Sequence, residues 1–119
     1  MTINILDKSL AEWSNLMMKG EVSSLDLTGA CFERIEKYNH TINAYTLVMK
    51  DSALKEAKLA DERISSGNRL GMLDGIPIGV KDNIDVFNTV SSAGMASRSD
   101  IICTSDSAVV NLLRKSGSI

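Results

Sequence analysis

Apolar residues recur at helical spacing along much of the first 65 positions and then gather into one short, dense run. Leu6, Leu10, Trp13 and Met17 stand four, three and four apart, the stripe of an amphipathic helix. Ser9 followed three residues later by Glu12 has the form of a capping box, and Gly20 is placed to end that helix. A second helix is predicted to start near Ser23 or Ser24, with Asp26 favoured in its first turn by the helix dipole. Leu27, Cys31, Ile35 and Tyr38 would form its buried face, and Asn39-His40 would break it. The next stretch, Ile42 to Val48, has the composition of a strand. A third helix is expected from Asp51 to just before Gly67. It carries Ala53, Ala57, Ala60 and Ile64 on one face, small enough for close packing.

The dense run follows. Leu73-Asp74-Gly75-Ile76-Pro77-Ile78-Gly79-Val80-Lys81-Asp82-Asn83 opens on a turn-prone Asp-Gly pair and contains the single proline. It is short, rich in β-branched residues and bounded by turn formers, the pattern of a strand buried on both faces. Pro77 cannot donate to a ladder and belongs at or just before the first strand residue. Lys81 would then emerge at the carboxyl end of a core strand, where ligands and catalytic groups collect in open α/β sheets. A last helix, capped by Ser105-Asp106, would bury Val109, Leu112 and Leu113 and close at Gly117. The fold class expected is α/β, with helices packed on a partial mixed β-sheet.

Bulk properties narrow the functional classes. The length, 119 residues, fits one ordinary domain. Hydrophobic residues make up 44%, enough for a core, but aromatics are only 4%, so aliphatics and Met must fill it. A net charge of −2 gives no pull toward nucleic acid. No apolar run is long enough to span a bilayer, and the N-terminus lacks the form of a secretion signal. Cys31 and Cys103 form no Cys-x-x-Cys motif and are read as reduced thiols in a cytoplasmic protein.

The dense run resembles the lysine motif of the amidase signature family, serine hydrolases with a Ser–Ser–Lys triad. The family pattern, roughly Leu-x-Gly-Ile/Val-Pro-x-x-Ile/Val-Lys-Asp, is met at Leu73, Gly75, Ile76, Pro77, Val80, Lys81 and Asp82. Flanking segments are similar too. They include Arg34-Ile35 with Asn39, Asn43-Ala44-Tyr45, and Ala53 and Ala57 with Asp61. After the lysine come Asp85-Val86, the hydroxyl-rich Thr89–Gly94, and a last helix with Val109, Leu112 and Gly117. Ser91-Ser92 and Met95 depart from the family's usual order there. The resemblance implies an N-terminal portion of an amidase domain over 1–119. Residues 1–67 would be its helical region, and 68–119 the lysine strand and following helix.

By that resemblance Lys81 is the one triad member present. The family's nucleophilic and bridging serines lie in a later Gly/Ser-rich signature, and no such run occurs here; the chain is expected to be inactive alone. A lysine amine acts as a base only when neutral, and desolvation at a buried strand end favours the neutral form. The implied partner is a small-molecule amide substrate of the complete enzyme, with no cofactor, no metal, no nucleic acid and no membrane. Asp82 and Asn83 read as turn residues and His40 as a polar cap, while Ser91 and Ser92 are given no catalytic role. Two alternatives stand beside this reading. One is a fragment of the A subunit of glutamyl-tRNA(Gln) amidotransferase. The other is a non-catalytic module that associates with a partner, or with copies of itself, through an exposed sheet edge.

Overall fold

A computed structural model describes residues 3–119. Four α-helices occur in the described residues: α1 (Leu10–Met18), α2 (Ser24–Ile42), α3 (Lys50–Ser65) and α4 (Ala108–Lys115). A short 3₁₀ turn spans Ala96–Arg98. Local chemistry explains where each helix begins and ends. Ser9 and Glu12 form a reciprocal capping box on α1, and Ser23 and Asp26 form another on α2. Gly20, at φ 71°, closes α1 with the paired bonds Gly20 N to Met17 O and Glu21 N to Leu16 O. Gly117, at φ 81°, does the same for α4 through Arg114 O and Leu113 O.

The core joins Trp13 and Met17 of α1, Val22, Leu27 of α2, and Ile76 from the dense run. Helices α2 and α3 pack against each other. Ala57 and Ala60 are completely buried, so the alanine face works as its composition predicts. Leu6 and Leu10, expected in the first stripe, are exposed instead.

The expected β-sheet is not formed. Among the described residues there is no strand, and the sole bridge is an isolated antiparallel one between Val90 and Ile102. The α/β class, with helices on a partial mixed sheet, is therefore corrected to a helical arrangement carrying extended segments. Residues 75–78 bond along the C-terminal end through Gly75 N to Gly117 O, Ile119 N to Ile76 O and Ile78 N to Ile119 O, while Ile76 N turns back to Leu73 O. Propensity favours an extended segment, but a sheet needs neighbouring strands in register, and none forms beside it among the described residues. Ile42–Val48 is no strand either. α2 runs on through Asn39 and His40 to Ile42, where Asn43 adopts the left-handed conformation (φ 49°) and ends it. Nothing in Asn39-His40 costs a helix more than a few tenths of a kcal/mol, about the spread of ordinary propensities. The last helix is capped by Ser107 rather than Ser105-Asp106, and it buries Val110 while Leu112 stays exposed.

Candidate active site around Lys81

The lysine-bearing segment is held at both ends by an aspartate. Asp74, at its start, is fully buried (0% exposed). Its carboxylate accepts from Arg63 Nε (3.2 Å) and Nη2 (2.6 Å) on α3, and from Leu70 N (3.0 Å). This two-pronged Arg–carboxylate geometry fixes orientation as well as distance. The neighbouring Gly75 carbonyl accepts from Ser24 Oγ (2.6 Å), and Ser24 N and Leu25 N in turn donate to the Asp61 carboxylate (2.6 and 3.0 Å). The first turn of α2, the end of α3 and the start of the segment are thus one polar knot. On the α1 side, Ser14 Oγ donates to Met72 O (2.6 Å) and accepts from Arg69 Nη2 (2.6 Å).

Asp82 holds the other end. Its carboxylate accepts from Ser92 N (3.0 Å) and from Ser92 Oγ, and its carbonyl accepts from Ala93 N (2.8 Å). The Ser92 hydroxyl and amide, with Arg98 nearby, hold the Asp82 carboxyl below its ordinary value. Ala93 takes a left-handed backbone (φ 51°) to make this closure, an unfavourable conformation for a residue with a Cβ.

Between the two anchors, Ile76 is buried, Gly79 and Val80 are exposed, and Lys81 is exposed. Lys81 O accepts from Ile84 N (3.0 Å), so Asp82 and Asn83 fill the middle of a turn, as their composition suggests. The expectation of a buried strand leading to the lysine is corrected with the sheet: the amine stands at the end of an extended segment, facing solvent. Ser91 is buried beside Asp82, whereas His40 lies exposed in the last turn of α2, far along the chain from this cluster. Among the described residues no group of three or more His, Cys, Asp or Glu could hold a metal ion. No helix there is long and apolar enough to cross a membrane.

The family description Amidase matches residues 26–119. The chain belongs to the amidase family. This amidase-family chain is 32% identical over 117 residues to an A subunit of glutamyl-tRNA(Gln) amidotransferase from Clostridium acetobutylicum, covering 98% of the chain and 24% of that protein. It is 32% identical over 111 residues to indoleacetamide hydrolase of Bradyrhizobium diazoefficiens, covering 93% and 21%. Its structure is similar to the peptide amidase of Stenotrophomonas maltophilia (TM-score 0.86, 31% identity, 95% of this chain and 23% of that one). Fatty acid amide hydrolase is also similar (TM-score 0.88, 27% identity, 96% and 20%). The amidase-family chain therefore spans about a quarter of the length of these relatives.

Pattern reading reached Lys81, Asp82 and Gly75 of this amidase-family chain but passed over Asp74, Arg63 and Ser24. Asp74 read as half of a turn pair. Arg63 lies three residues beyond Ala60, close to the alanine face; a charge so near a buried stripe was the available signal of a buried partner.

Proposed function

We propose that the complete protein hydrolyses the C–N bond of a carboxamide, with Lys81 as the general base of a Ser–Ser–Lys mechanism. Residues 1–119 are the N-terminal portion of that amidase domain. What carries the reading is the run Leu73–Asp82, in which Lys81 is presented by a segment anchored through Asp74 and Asp82.

In the reaction, the neutral Lys81 amine accepts a proton from the bridging serine, which takes one from the nucleophilic serine. The serine oxygen then bonds to the carbonyl carbon. Collapse of the tetrahedral adduct breaks the C–N bond, and the proton held on the lysine leaves with the amine or ammonia. Water repeats the sequence on the acyl-serine and releases the acid. Both serines are lacking from residues 1–119, so these residues by themselves do not turn over an amide.

The test measures ammonia released from a simple carboxamide. The 119-residue chain is expected to give none above its Lys81→Ala variant. In a polypeptide carrying the same sequence ahead of a Gly/Ser-rich signature, Lys81→Ala is expected to lower kcat by about 10²–10⁴, the usual worth of a positioned acid–base group. Undiminished turnover in that variant would remove the lysine from the mechanism. A second reading, as part of an amidotransferase A subunit, is supported by the likeness to the Clostridium acetobutylicum protein. Transfer of the amide nitrogen to glutamyl-tRNA, in place of its release, would favour it.

A further inference from the structure

Lys81 lies between two main-chain anchors at unequal distances. Before it, the last held residue is Ile78, whose N–H donates to Ile119 O (2.8 Å). Among the described residues Gly79, Val80 and the Lys81 N–H make no backbone hydrogen bond. After it, the very next residue is clamped. Asp82 O accepts from Ala93 N (2.8 Å), and the Asp82 carboxylate accepts from Ser92 N (3.0 Å) and Ser92 Oγ. With no bond at 79 or 80 and three at 82, the main chain at position 81 takes its direction from the Asp82 side.

Within that clamp the Ser92 hydroxyl is the part that depends on the side chain. Any residue other than proline supplies the N–H groups at 92 and 93, but only a hydroxyl supplies the second donor to the carboxylate. Ser92 Oγ donates to Asp82 and accepts from Gly94 N (3.1 Å), while Met95 N donates to Ser92 O (2.9 Å). One oxygen therefore joins the turn after the lysine to the tight turn that starts at Ser92, across ten residues of chain. Both side chains are half-buried, and a hydrogen bond to an ionised carboxylate is roughly twice as strong as one between neutral groups. The turn it secures is the one in which Ile84 N donates to Lys81 O (3.0 Å).

We infer that Ser92 is a positioning residue for Lys81: its hydroxyl, bonded to Asp82, fixes the turn from which the lysine projects. The catalytic consequence rests on Lys81 being the general base, but the hold on the turn does not. Two measurements test it. In the 119-residue chain, amide hydrogen exchange is followed residue by residue with NMR. Ser92→Ala is expected to speed exchange at Ile84 about tenfold, the worth of one hydrogen bond to a charged group. Ile78, held through Ile119, and Asn43, held through Asn39 at the end of α2, are expected to keep their parent rates. Ser92→Thr retains the hydroxyl and is expected to restore Ile84. An unchanged Ile84 rate overturns the hold. So does a rise of the same size at Ile78 and Asn43, because Ser92 would then support the whole fold and not this turn. In the larger polypeptide with a Gly/Ser-rich signature, Ser92→Ala is expected to lower kcat about tenfold at unchanged KM, and Ser92→Thr to regain it. Full kcat in Ser92→Ala, or no regain in Ser92→Thr, overturns the positioning role. Undiminished turnover in Lys81→Ala sinks the lysine's role and any effect of Ser92 through it, whereas the exchange rates still decide whether Ser92 holds the turn.

Discussion

Removing the Arg63 guanidinium is the perturbation with the largest effect that can be worked from the structure. In Arg63→Met the apolar stem is kept and both donors to Asp74 are lost, leaving its carboxylate with Leu70 N alone. Asp74 is 0% exposed, so water cannot replace them without opening the structure. Breaking a buried pair from one side costs about 3–5 kcal/mol. The Arg63 side chain is 31% exposed and gives back some hydration in the native protein, which places the expected loss near the lower end, at about 3 kcal/mol. Trp13, the single tryptophan, is buried in the core and reports unfolding by its fluorescence. With a urea slope of about 1.5 kcal/mol per molar, the midpoint falls by about 2 M. The double variant Arg63→Met with Asp74→Asn removes the stranded charge while keeping the side-chain shape beside Gly117. It is expected to recover about half of the loss. A single-variant cost below about 1 kcal/mol, or no recovery in the double variant, would refute the claim that a buried charge pair holds the segment.

Three further outcomes are expected. Gly117→Ala combines a left-handed φ of 81° with a Cβ placed 3.1 Å from the Asp74 Cα, whereas Gly20→Ala, at φ 71°, meets open space. Thermal melts should therefore show about 1 kcal/mol lost at Gly20 and clearly more at Gly117. The Asp82 carboxyl lies below its ordinary value because of Ser92. Its stabilising contribution is present above about pH 4 and is lost as pH falls through the lowered value. Ser92→Ala should accordingly flatten the acid limb of stability against pH, read as urea midpoints from pH 7 downward; an unchanged limb would contradict the tie. Lys81→Ala should leave the unfolding free energy from urea melts within about 0.5 kcal/mol of the parent, since the residue is exposed; a large loss would make it a structural residue.

Much of the candidate site could be read before any coordinates because its signals are short-range or motif-based. The Leu73–Asp82 run and the segments around Asn39, Tyr45 and Asp61 pointed to the family that the comparisons show. The capping box of Ser9 and Glu12 and the closing turns at Gly20 and Gly117 formed where expected, since their bonds join residues three to five apart. Such bonds depend on the local residues and little else. The Ile76–Val80 run, expected as a strand buried on both faces, forms no strand and leaves Val80 exposed, because pairing depends on chains that local sequence does not specify.

What only the tertiary structure decided are contacts made across long separations. Arg63 reaches Asp74 over 11 residues, Asp61 reaches Ser24 over 37, and Ser24 reaches Gly75 over 51. Periodicity places a residue on a helix face but leaves the rotation of that face open by one position. Val110 is therefore buried where Val109 was expected, and Val109 and Leu112 stay exposed. Local sequence determined where α1 starts and where α1 and α4 stop, through the Ser9–Glu12 capping box and the glycines at 20 and 117. The burial of Asp74, and with it the anchorage of the Lys81 segment, arose when α2, α3 and the loop before Gly75 closed around a charge that no local pattern marks as internal.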